Sequence, residues 1–148
     1  MIYEKQEIGY MIALRFDDIL KGDTARFTKT ISETDVYLFA GICGDFNPLH
    51  VNEEFAKCSP FQKRIVHGLL VASLISAVLG TKLPGQNSIY ISQTLQFLAP
   101  AYIGDTVTAE VTVVEKDNNK KEIILETKCF NEKGKDLVNG TARLLMRV

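Results

Sequence analysis

Asp45 and His50 stand five residues apart, separated by Phe46-Asn47-Pro48-Leu49. In a turning segment that spacing lets a carboxylate and an imidazole converge on one small volume. Such a pair can hold and polarise one water, because histidine titrates near neutral pH. On spacing alone the same residues serve as turn formers, since Asp and Asn before Pro satisfy local backbone groups. A second group lies downstream, in Ile65-Val66-His67-Gly68-Leu69-Leu70, where a long apolar run begins. Gly68 falls where a helix N-terminus is expected. Its N–H is then free, faces the positive end of the helix dipole, and has no Cβ in front of it. That is a place to hold a carbonyl oxygen gathering negative charge, with close helix packing as the alternative use of the glycine. His67 reads as a partly buried, hydrogen-bonded histidine near the cap. The two histidines have no clustered partners, so metal binding is set aside.

The elements that must position these groups follow from the pattern. Ala25 to Ile31 alternates and reads as a short strand. Ser32 caps a helix with Asp35 at the capping-box spacing; Val36, Phe39 and Ala40 form its apolar stripe, and Gly41 and Gly44 end it. Asp45 to His50 is expected to be irregular, because Pro48 disfavours helical geometry at Asn47. Asn52 to Lys57 reads as a short helix capped by Asn52, ended by Ser59-Pro60. His67 to Thr81 reads as a helix of about four turns, apolar nearly all round and so buried on most sides. Then the period changes. Ser88 to Phe97, Thr106 to Val113, Glu122 to Phe130 and Leu137 to Met146 read as strands joined by turn chemistry at 117–120 and 131–134. The result is an α+β chain of the hotdog type, an antiparallel five-stranded sheet wrapped around one long central helix.

The chain has 148 residues, 46% hydrophobic and 24% charged, with a formal net charge of -1. That supports a single domain spanning 1–148, with 1–20 as an N-terminal extension lying along the surface. Near-neutral charge removes the basis for nonspecific nucleic-acid binding. Cys43, Cys58 and Cys129 are scattered without a CxxC pair, which suggests incidental thiols in a reducing compartment. Glu4 and Glu7 stand where a signal peptide would be basic, and Ile65 to Leu79 falls short of a membrane span of about 20 residues. The expected location is the cytoplasm, with no membrane partner.

Taken together, Gly44-Asp45-Phe46-Asn47-Pro48-Leu49-His50-Val51 and Ile65-Val66-His67-Gly68 resemble the MaoC-like (R)-specific enoyl-CoA hydratases, or hydratase 2. Ser88-Ile89-Tyr90, Phe97-Leu98-Ala99-Pro100 and Gly104-Asp105-Thr106-Val107 look like that family's later strands. The resemblance runs from Thr24 to Met146. It implies reversible syn addition of water to a trans-2-enoyl-CoA, giving the (3R)-3-hydroxyacyl-CoA, with no metal or redox cofactor. It also implies that Asp45 and His50 activate the water and that the Gly68 amide binds the thioester oxygen. Asn47 matches a residue shaping the active-site loop, Ser76 matches a helix serine near the site, and His67 joins them on the substrate side.

The resemblance leaves two other readings open, a (3R)-hydroxyacyl-carrier-protein dehydratase and a non-catalytic acyl-thioester binding module. A hotdog thioesterase does not need this Asp/His pairing. Lys57, Lys63 and Arg64 form a small basic group able to meet CoA phosphates or an acidic carrier. A homodimer or dimer of dimers is expected, to cover an edge strand and apolar surface. Leu74, Ile75, Val78 and Leu79 are the candidates to floor an acyl tunnel. Short chains of about four to six carbons are expected, since a methylene that fits gains about 0.8 kcal/mol and one that clashes costs about 1–3 kcal/mol.

Overall fold

The computed structural model describes residues 14–147. Five strands form one antiparallel sheet in the order β1-β3-β4-β5-β2. They are β1 (Thr24–Thr30), β2 (Ser88–Phe97), β3 (Thr106–Asp117), β4 (Glu122–Asn131) and β5 (Asp136–Met146). The expected hotdog arrangement is present: the helix α4 (Gly68–Thr81) lies on the inner face and packs against all five strands. Its Leu70, Val71, Leu74, Ile75, Val78 and Leu79 are buried against inward residues such as Val107, Val111, Leu125 and Leu144. Strand alternation supplies that inner face.

Three local expectations are corrected. The segment before β1 does not merely lie along the surface: Phe16 and Ile19, three apart around the 3-10 turn Phe16–Asp18, are buried in the core. Two anchors in a short turn leave no period to read. The helix α1 (Glu33–Cys43) passes through Gly41 and ends at Gly44, whose φ of 80° is left-handed. Its capping box forms as expected, with Ser32 and Asp35 each bonded to the other's backbone. Within 45–50 a one-turn helix α2 (Pro48–Val51) forms, because proline is tolerated at the first helical position while Asn47 stays non-helical at ψ 126°. The helix α4 is buried on most sides, as expected. Leu69, Ser73, Ser76 and Gly80 are exposed along one stripe.

β2 is an edge strand of the sheet, and Ile89, Tyr90 and Ile91 on it are exposed, with a bulge between Tyr90 and Ser92. On the outer face, the nearly buried carboxylate of Glu110 is held by Arg26 and by Lys128 at 2.8 Å. Burial alone would raise the Glu110 pKa; hydrogen bonds from Lys128 and Arg26 outweigh it and hold the carboxyl below its ordinary 4.5. No helix among the described residues is long and apolar enough to cross a membrane.

Candidate active site

The left-handed turn at Gly44 ends α1 and aims the chain into Asp45. The Oδ1 of Asp45 accepts the Asn47 N–H at 3.1 Å, which fixes the carboxylate and leaves Oδ2 free of backbone donors. Asn47 then caps α2, its side-chain oxygen accepting the Leu49 N–H at 3.0 Å. This one-turn helix turns His50 inward, where it is 9% exposed.

A second connection orients the His50 ring. Ile65 donates its N–H to the Leu49 carbonyl at 3.1 Å. The Ile65 carbonyl in turn lies 2.8 Å from His50 Nδ1. A carbonyl only accepts, so Nδ1 carries a proton, and in the neutral ring Nε2 is the nitrogen that keeps a bare lone pair. That lone pair stands 3.8 Å from Asp45 Oδ2. Two acceptors face each other across a gap that suits a bridging donor such as water.

His67 is the N-cap residue of α4 and only 2% exposed. Its Nε2 donates to the Asp45 backbone carbonyl at 2.9 Å, and its ring stacks on His50 with centroids 3.8 Å apart and planes 29° apart. Burial, the largest influence, and the neighbouring His50 lower its pKa below the ordinary 6.5, against the opposing pull of Asp45. The His67 side chain does not cap α4. Gly68 opens the helix, so its N–H has no intrahelical acceptor. A Cβ there would come within 2.7 Å of the Phe97 ring.

These groups share one cavity of ≈ 670 Å³. Asp45, His50, His67 and Gly68 lie on one wall, and Val71, Phe97, Ala99, Ala101, Leu137 and Val138 contribute apolar surface. A concavity of the same volume on the outer sheet face is lined by Thr112, Glu126, Thr127 and Asn139 around the ion-paired Glu110, with no histidine. Asp45, His50 and His67 all line the first.

Several expectations meet a different geometry. The histidines do have a clustered partner: one donor atom each from Asp45, His50 and His67 lies within 4.8 Å of the others. Each ring bonds a backbone carbonyl through one nitrogen, His50 through Nδ1 and His67 through Nε2. Leu74, Ile75, Val78 and Leu79 do not floor the cavity; they face the sheet as core. Ser76 is exposed outside the cavity lining, because eight residues of helix carry it about 12 Å beyond Gly68. Asn47 also lies outside the lining and acts through its cap. The basic group is not free: Arg64 is bonded to Glu33, Tyr37 and Glu53, and Lys57 to Glu54. Lys63 lies over the Tyr102 ring. Missing from the sequence reading are the Ile65 carbonyl and the walls at Phe97, Leu137 and Val138. A backbone carbonyl has no residue signature, and the walls meet only once β2 and β5 pair.

The family model described as MaoC like domain matches residues 19–133. An (R)-specific enoyl-CoA hydratase of Rhodospirillum rubrum is 50% identical over 131 residues, 88% of this chain and 90% of its own. A 3-hydroxybutyryl-CoA dehydratase of Methylorubrum extorquens is 50% identical over 116 residues, 78% of this chain and 74% of its own. Among solved structures, an R-hydratase from Pseudomonas aeruginosa in the unliganded form matches with a TM-score of 0.85 and 39% identity, covering 89% of this chain and 84% of its own. Half-identity across most of two relatives, together with the family model over residues 19–133, leaves one conclusion: the chain belongs to the MaoC-like domain family.

Proposed function

We propose that the chain is an (R)-specific enoyl-CoA hydratase, adding water reversibly to a trans-2-enoyl-CoA to give the (3R)-3-hydroxyacyl-CoA. The observation that carries this reading is the bare His50 Nε2 facing Asp45 Oδ2 across 3.8 Å, on the same cavity wall as the Gly68 amide. The names of the relatives from Rhodospirillum rubrum and Methylorubrum extorquens support it.

Water held between Asp45 and His50 attacks C3, an O–H bond breaks, and the pair takes the proton. The C2–C3 π electrons move through the carbonyl carbon to the thioester oxygen, where the Gly68 N–H meets the developing enolate. Such a donor is worth on the order of 10²–10³ in rate. The enolate then collapses and C2 takes a proton from the pair, on the face that received the hydroxyl. Asp45 and His50 act as one coupled acid–base unit, which makes the addition syn. The chemistry calls on side chains and one amide alone, with no redox or metal step.

The working form is a homodimer in the cytoplasm. Exposed Ile89, Tyr90 and Ile91 on the edge strand β2, beside the exposed Leu69, Ser73, Ser76 and Gly80 stripe of α4, support edge-to-edge pairing with a second copy. Light scattering at micromolar concentration should then give twice the 16.5 kDa chain mass. Loss of enoyl absorbance when crotonyl-CoA is added tests the reaction; no loss across chain lengths with CoA, but turnover on a carrier-protein thioester, would move the assignment to a dehydratase of carrier-bound chains.

A further inference from the structure

We propose that His67 is a positioning residue that sets the register of the catalytic pair, its ring serving as the shelf for His50 and its Nε2–H as the tether for Asp45. The proposal rests on the reading of Asp45 and His50 as the acid–base pair.

Two restraints are needed to fix an imidazole. The Nδ1–H bond from His50 to the Ile65 carbonyl supplies an axis, but the ring can still turn about it. The His67 face, stacked at 3.8 Å and 29°, removes that rotation. Phe39, with its centroid 5.1 Å away and its plane tilted by 57°, backs His67 from another side. On the other arm, His67 Nε2 donates to the Asp45 carbonyl at 2.9 Å across 22 residues of chain. One side chain therefore touches both partners and ties the α1–α2 connection to the start of α4.

Packing alone does not account for a histidine here. With Nε2 bound to a carbonyl, Nδ1 is left as a bare acceptor, buried and without a partner among the described residues. An unpaired buried nitrogen is a cost that Phe or Leu of similar volume would avoid. What the imidazole adds is a flat face and one N–H donor in the same group. Burial keeps the ring neutral, so it delivers both without placing a cation against the Asp45 carboxylate or His50.

The test separates the two contributions. His67→Phe keeps a flat ring and deletes the tether; His67→Gln keeps an amide donor and deletes the shelf; His67→Leu deletes both. For the hydration of crotonyl-CoA, kcat is expected to fall roughly 10-fold in each of the first two and about 10²-fold in His67→Leu, the scale of a loss from misplacement, while KM changes by less than about threefold. Nitrogen-15 imidazole NMR of the wild-type protein should show His67 protonated at Nε2 and His50 at Nδ1, with the His50 signals broadened in His67→Gln. The proposal is overturned if the Phe and Gln variants keep wild-type kcat, or if wild-type His67 is protonated at Nδ1. The NMR arm needs no turnover, so failure of the hydratase reading itself, an inactive wild-type chain, is distinguishable from failure of the His67 proposal.

Discussion

Asp45 Oδ2 and His50 Nε2 face each other across 3.8 Å, while the Nδ1–H of His50 donates to the Ile65 carbonyl. Two lone pairs so placed have no reason to approach unless a donor sits between them. Asp45→Asn would put an amide N–H against Nε2 and occupy that lone pair, and His50→Ala would remove it. Each variant should lose roughly 10²–10⁴-fold in turnover while keeping its circular dichroism spectrum. A folded variant with near-normal turnover would refute the pairing.

Gly68 carries two constraints, a free N–H and the Phe97 ring where a Cβ would stand. Gly68→Ala keeps the N–H but should lower kcat/KM about 10²-fold through disturbed thioester placement. Phe97 is more than half exposed and can swing aside, so the fold should survive. If Gly68→Ala combined with Phe97→Ala recovered full turnover, the glycine would be serving the packing rather than the thioester.

In the proposed reaction the apolar lining of the cavity sets chain length, and the α4 residues in that lining include Leu69 and Val71. The wild-type enzyme should prefer crotonyl-CoA to trans-2-decenoyl-CoA by kcat/KM. Val71→Ala keeps a good helix former and opens the space of two methyl groups. At about 0.8 kcal/mol for each methylene-sized group, it should shift the decenoyl-to-crotonyl ratio upward by roughly tenfold. A wild-type preference for decenoyl-CoA would refute the short-chain assignment and leave the reaction intact.

Glu110 is held ionised by Lys128 and Arg26, below its ordinary 4.5. A carboxyl with a depressed folded pKa stabilises the fold above its unfolded pKa, and that contribution is lost as pH falls through the folded value. Glu110→Gln should therefore lower the urea midpoint at pH 7. The gap between variant and wild type should narrow as pH falls below 4.5. An equal gap at pH 7 and pH 3 would show that the ion pairs contribute nothing.

The sheet and the main helix were legible because their periods are long and consistent. The strand Ser88–Phe97 and the capping box at Ser32 and Asp35 follow from alternation and local hydrogen bonding alone. Motif order singled out Asp45, His50 and Gly68, and the fold brings the three to one cavity. What escaped is nonlocal. The stack of His67 on His50 joins residues 17 apart in the chain, and the tunnel walls come from Phe97 and Leu137 on paired strands. Leu74, Ile75, Val78 and Leu79 looked like tunnel floor because one apolar helix offers two sides, and only the packing tells which side faces the sheet. Arg64 looked free because its partners Glu33 and Glu53 lie on two other helices.

The helix α4 begins without a side-chain cap, although it is the longest and most buried helix described. A missing N-cap costs a helix about 1 kcal/mol. In the proposed reaction the thioester oxygen, arriving at the Gly68 amide, would pair one of the N–H groups that the helix start leaves free. Substrate binding and helix stability would then draw on the same unsatisfied group.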